Sequence, residues 1–531
     1  MSNIMNDSKQ FVDMKLKYSL NTVKSNFEKM KSRDEQSIKA FLEENFENVE
    51  SEYLEEVPSD WKDSPQFLTT IKSHNLRVLA SKLHGMWKDL SKIINPEIGK
   101  SDHYSLIYVP NVVIMPGGFL REYYYWDTYW IVLGLLVSGM YNTAKGMMDN
   151  FKQLILTYGY IPYGGRVYYL TRSQPPLFIP MIFEIYVHTQ DENFVNEYLP
   201  IMEKELSYWE SKKTSSTLGY DYFVYSSVIE GPRPENYKDD ITNARHFKKD
   251  EKKNFYSEMN SVAESGWEYS SRWIINADGS NIGTQLDSKI RSIIPIDLNA
   301  IMCGNYRMLS EMYKQMGDTV NSKKYSEKYS EMKHALKVLW DEKAGIWLDY
   351  DMKNEKKRDY FYASNLIPLW ARCYEKNETE IIVASVINYL SHHQITSYKG
   401  GVPTSLYDSG LEWDLPNSFP PIMHFIIVGI NETRIPIAQH MAFAMARQWI
   451  KYNLKAFNKD QLMYEKYHAV NPGRKGIGFS FDIKGGFGWT NGALLDLIIK
   501  YRHIDFVSKS CKYYISKEFL LFVCLFIFLI N

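Results

Sequence analysis

Glu268 stands between Trp267 and Tyr269 in the stretch AESGWEYSSRW, straight after Gly266 and just ahead of Ser270, Ser271 and Arg272. A carboxyl group set among aromatic rings loses hydration and holds its proton towards neutral pH, which is what a general acid requires. A second carboxylate, Glu465 in MYEKY, has Lys466 beside it and Tyr464 and Tyr467 around it, a setting that suits an ionised partner. One carboxyl that donates a proton and one that serves as base or nucleophile are the minimum for cleaving a glycosidic bond. Taken singly, Glu268 also fits the plainer description of a satisfied glutamate in an interior helix.

Other segments share this character. They are PGGFLREYYYWDTYW (116–130), GGRVYYLTRSQPP (164–176), EGPRPENY (230–237), GGVPTSLYDSGLEWDLPNSFPP (400–421) and the glycine-rich run from Glu465 to Gly492. Each mixes Gly or Pro punctuation with rings and with arginines, carboxylates or both. Arg121, Arg172 and Arg233, with Glu122, Asp127 and Glu235, have the fork-and-carboxylate chemistry that grips sugar hydroxyls. A lone surface arginine more often forms a solvated ion pair, so the weight lies in the recurrence of the pattern. The glycine-rich run lacks the GK[ST] ending and the strand-to-helix order of a phosphate loop. It reads as a lid or wall beside a ligand, or as a plain surface loop.

Helical periodicity dominates the elements that must position these groups. Leu298, Met302, Tyr306, Leu309, Met312 and Met316 recur three or four apart, as do Ala144, Met147, Phe151, Leu154 and Tyr158. Helical segments come in neighbouring pairs: 124–140 with 142–158, 174–190 with 191–212, 295–316 with 318–340, 362–374 with 376–392, and 416–430 with 432–453, and a last helix begins near Trp489. Gly317-Asp318 and the INET at 430–433 supply breakers and caps between partners. IWLDYD and RDYFYA, flanking MKNEKK, predict one β-hairpin. With no Pro/Gly/Ser linker between pairs, the expectation is one all-α body whose pairs close into a ring, with the chemical segments meeting at one end.

The 531-residue composition, 45% hydrophobic and 24% charged, is that of a globular chain able to bury a large core. Lys plus Arg number 62 against 63 Asp plus Glu, and no basic run follows a phosphate backbone, so nucleic acid is excluded as a partner. Forty tyrosines and 13 tryptophans suit a cleft facing a flat hydroxylated ligand. Cys303, Cys373, Cys511 and Cys524 are far apart, with no CxxC pair, and indicate neither a disulfide framework nor a zinc site. Asn6, Asn377 and Asn431 head glycosylation sequons of a kind that also arises by chance.

In their order and spacing these segments resemble the trehalase family of glycoside hydrolases, from DSKQFVDMKLK (7–17) to GFGWTNG (486–492). The blocks PGG…EYYYWDTYW and EWDLPNSFPP look like the two family signatures, and RSQPP, PRPE, ESGW.YSSRW and GFGWTNG match four more. The resemblance implies an all-α (α/α)6 toroid of paired helices with a few short hairpins, acting on α,α-trehalose with inversion at the attacked carbon. It places Glu268 at the general-acid position and Glu465 at the general-base position. Trp126, Asp127, Arg172, Ser173, Gln174, Arg233, Glu235, Gly266 and Trp413 fall where the family binds sugar. No metal or organic cofactor is implied. Inversion needs the two carboxyls about 6.5 to 9.5 Å apart so that water fits between base and sugar.

The departures are specific. The family acid is normally Asp in SGWD, where this chain has Glu268, and one more methylene moves the proton by roughly an ångström. PGGRF is here Pro116 to Leu120 with Phe119 at the arginine position, and IPNG has become IPYG with Tyr163 in place of a sugar-binding Asn. Ser480 stands where the family has Glu, and Glu412 where it has Gln. Three readings stay open: an active trehalase, a glycosidase of altered specificity, and a sugar-binding relative without turnover.

Residues 1–506 are expected to form the catalytic domain and 507–531 a hydrophobic tail. The start, MSNIMNDSKQ, has no apolar core and so no signal peptide as written, which points to the cytoplasm. The run Phe519 to Ile530 is too short to span a bilayer but has the length of a tail removed when a lipid anchor is attached, which points to membrane attachment outside the cell if the N-terminus is incomplete, the tail being incidental otherwise.

Overall fold

Six helices line the inside of the molecule: Asp127–Val137, Phe178–Thr189, Ile296–Gln315, Ile367–Ala371, Pro420–Glu432 and Gly488–Lys500. Most of their residues are buried, because each is covered on one side by its ring neighbours and on the other by an outer helix. Each packs on the next in chain order, and Gly488–Lys500 packs back on Asp127–Val137, so the ring is closed. The computed structural model that shows this describes residues 4–5, 7–49, 52–118, 120–214, 217–478 and 486–503.

The outer layer comprises Tyr141–Tyr158, Glu192–Glu210, Thr319–Leu339, Thr379–His392, Pro436–Asp460 and His74–Leu90. The last of these precedes the first inner helix in sequence yet packs on the last one, completing the sixth pair. The architecture is therefore the (α/α)6 toroid. Asp318 caps Thr319–Leu339 by accepting from the Asn321 N–H, as the Gly-Asp pair predicts.

Ring closure depends on bare backbone. A Cβ at Gly492 would lie 1.8 Å from the Trp130 carbonyl oxygen and one at Gly134 2.8 Å from the Gly492 Cα. The final glycine of GFGWTNG thus lets two inner helices touch.

Several boundaries differ from the periodicity. The helix expected from 174 begins at Phe178, since Pro175 and Pro176 hold the preceding residues extended. The one expected over 362–374 is reduced to Ile367–Ala371 after a 3-10 turn, and it stops at Arg372 with φ +56°. The hairpin is also smaller than predicted: Tyr350–Asp351 pairs with Lys356–Lys357, inside the stretch expected to be its loop, and RDYFYA forms no strand. Tyr350–Asp351 pairs on its other side with Ile293–Ile294.

Cys303 and Cys373 form a disulfide across 70 residues of sequence, joining an inner helix to the loop after its neighbour. Wide spacing hid this pair, because the toroid brings distant segments side by side. Among the described residues no helix is long and apolar enough to cross a membrane. The tail at 507–531, Asn6, Phe119 and Ser480 lie outside the described residues.

Candidate active site

The loops that lead into the inner helices open on one cleft of about 340 Å³, a size suited to a small ligand. Trp126, Asp127, Arg172, Gln174, Glu235, Gly266, Glu268, Trp413 and Glu465 all line it. Stretches nearly 340 residues apart in sequence are thus brought to one place.

Glu268 sits on a turn built for it. The helix Lys252–Glu264 ends at Ser265, and Gly266 follows with φ +72°. A Cβ at Gly266 would lie 2.8 Å from the Trp126 indole, so only glycine combines this conformation with that contact. Tyr269 is held at φ +62°, and its carbonyl accepts from the Trp413 N–H at 3.1 Å. Trp267 turns away from the cleft and stacks on Trp413, which lies 3.6 Å from Phe419 in a second parallel stack. The sequence neighbours of Glu268 therefore hold the turn, and the ring that meets its carboxyl is Tyr163, whose hydroxyl donates to Oε1 at 2.6 Å.

The rest of the quoted stretch is scaffold. Ser270 Oγ donates to Asp414 Oδ1 at 2.9 Å, and the Ser271 N–H to Asp414 Oδ2 at 2.7 Å. Arg272 is fully buried between Asp297 (2.7 Å) and Asp349 (2.8 Å).

Glu465 is placed by the last inner helix. Trp489 Nε1 donates to the Glu465 carbonyl at 2.8 Å, and Thr490 Oγ1 to the Tyr464 carbonyl at 2.7 Å. The ammonium of Lys466, 3.0 Å from Glu465 Oε2, also pairs with Glu412. Burial works against the charge on Lys466, but the carboxylates of Glu465 and Glu412 outweigh it and raise the pKa above the ordinary lysine value. Burial raises the Glu412 carboxyl; Lys466 opposes this and Glu465 adds to it. Asp127, at the first turn of its helix, is pushed up to about 8 by burial and then by the Glu465 carboxylate. At neutral pH it holds a proton and can donate.

Arg172 Nη2 donates to Glu235 Oε1 at 2.8 Å. Arg172 and Glu235 line the cleft, while Arg172 Nε and Glu235 Oε2 are buried and make no hydrogen bond within the protein. Gln174 Oε1 accepts from the Trp126 N–H at 3.0 Å.

Four candidates lie elsewhere. Ser173 Oγ donates to the Ile161 carbonyl at 2.6 Å, behind the wall. Arg233 is clamped by Asp240 through Nε (3.0 Å) and Nη2 (2.7 Å), and contacts cleft-lining Tyr269 through its Oη at 3.2 Å. Arg121 is exposed, and Glu122 is buried in ion pairs with Lys9 and Arg166. Conversely, Asp7 and Lys9 line the mouth, where the N–H of Lys238 donates to Ser8 Oγ at 3.0 Å. That segment opens the stretch over which the family resemblance runs, DSKQFVDMKLK (7–17), but its residue types and spacing alone do not tie it to the cleft.

A family model of trehalase matches residues 3–502. The chain belongs to the trehalase family. The trehalase of Apis mellifera is 42% identical over 94% of this chain and 82% of its own length. That of Homo sapiens is 39% identical over 94% and 87%. The neutral trehalase of Saccharomyces cerevisiae superposes with a TM-score of 0.58 at 21% identity over 74% of each chain, a likeness of fold. Among the described residues of this trehalase-family chain no cluster of ligating side chains could hold a metal ion.

Proposed function

We propose that the chain hydrolyses α,α-trehalose to two glucose molecules with inversion, Glu268 protonating the glycosidic oxygen and Glu465 drawing the proton from the attacking water. The observation that carries this reading is the unequal setting of two carboxyls on one cleft. Glu268 meets a neutral phenol donor, whereas Glu465 meets the ammonium of Lys466, which offsets a negative charge there. Protonated Asp127, with Arg172 and Glu235 on the cleft wall, and the indoles of Trp126 and Trp413 supply hydroxyl partners and a flat apolar face for the sugars. No cofactor enters these steps.

Glucose release from α,α-trehalose tests the proposal. The parent turns over, and Glu268→Gln and Glu465→Gln each lower kcat by about a thousandfold or more while the proteins stay folded. A folded parent that releases no glucose contradicts it. Tyr163 on the cleft wall motivates a second reading, a different group accepted beside the first glucose. A panel of α-glucosides turned over faster than trehalose supports it.

A further inference from the structure

Tyr163 and Glu268 are held in place independently of each other, yet they meet. The Tyr163 N–H donates to the Arg172 carbonyl at 3.0 Å, and its carbonyl accepts from the Tyr125 N–H at 3.2 Å. Its ring is gripped by Tyr124 (5.7 Å, 84°), by Tyr169 (4.9 Å) and by the Arg172 guanidinium 4.3 Å from its centroid. Arg172 is in turn tied to Glu235 at 2.8 Å and Asn260 at 3.0 Å. On the other side, the turn at Gly266 and Tyr269 fixes the Glu268 backbone.

We propose that Tyr163 is a positioning residue for the reaction: its hydroxyl, by donating to Glu268 Oε1, selects one rotamer of the long acid arm and leaves Oε2 to carry the transferable proton. Glutamate has one more rotatable bond than aspartate, so without such a tether its carboxyl samples more orientations and is less often in line with the leaving oxygen. The pairing is specific to the longer arm. Aspartate at position 268 is shorter by one carbon–carbon bond, about 1.5 Å, and does not reach the phenol. The two departures thus act as one unit. This inference rests on Glu268 being the acid.

The phenol stays protonated at working pH, because burial first and the Glu268 carboxylate second push it well above its ordinary value. As a donor it can hold Oε1 while Oε2 faces the leaving oxygen.

The test compares the full chain with Tyr163→Phe, which keeps the ring and its packing, each also in the Glu268→Asp background, with α,α-trehalose as substrate. Tyr163→Phe lowers kcat by about tenfold and leaves KM within about twofold. In the Glu268→Asp background the same change has no effect. An unchanged kcat overturns the inference, as does a rise in KM alone of the same size in both backgrounds, which marks direct contact with sugar. A parent that is inactive on trehalose removes the acid assignment and the inference with it. An active parent whose kcat Tyr163→Phe matches overturns the inference alone.

Discussion

Asp127 shows how burial sets the chemistry of a single side chain. An unfolded aspartate titrates near 3.9, whereas in the fold this carboxyl is pushed up to about 8 by burial and by Glu465. Between those values the folded chain binds a proton that the unfolded chain does not. Its contribution to stability therefore falls as pH rises through that window and changes no further above it. Asp127→Asn removes this part of the slope, by up to about 1.4 kcal/mol per pH unit. Urea unfolding of parent and variant at about pH 5 and about pH 8 measures it, and equal slopes contradict the assignment. The residue pair Glu412 and Lys466 carries a related lesson. Glu412 was visible in the sequence only as a departure, and its meaning is the ammonium it shares with Glu465.

At the scale of elements, the inner helices owe their arrangement to what their sequences omit. Gly492 faces the Trp130 carbonyl so closely that a Cβ would lie 1.8 Å away, against backbone that cannot rotate aside. Gly492→Ala is expected to destabilise the protein by about 3 kcal/mol or more. A thermal melt reads this as a clear fall in Tm, and an unchanged Tm contradicts the closed packing. The helix pairs themselves were legible, because apolar residues three and four apart mark a buried stripe wherever the helix sits. Their starts were less so. Pro175 and Pro176 hold the residues ahead of them extended, and Gln174 belongs to the cleft wall. RDYFYA alternates like a strand, yet Phe361 and Tyr362 are buried without forming a strand, so the pattern misled.

For the molecule as a whole, closure of the ring joins what the sequence keeps apart. Glu268 and Glu465 were legible as carboxyls among rings, and their shared cleft as an expectation from repeated loops. The disulfide of Cys303 and Cys373 and the ion pairs of Lys9 and Arg166 with Glu122 were not, since long-range contacts leave no local period. Arg233, a residue type fit for sugar, is held by Asp240, a contact that its place in the sequence does not announce. The division of labour between Glu268 and Glu465 is the central claim, and α-glucosyl fluoride tests it most directly, because fluoride departs without protonation. Glu268→Gln should lose trehalose hydrolysis yet cleave the fluoride at close to the parental rate, while Glu465→Gln loses both. If Glu268→Gln is as inactive on the fluoride as on trehalose, Glu268 is not the proton donor and the assignment of roles is wrong.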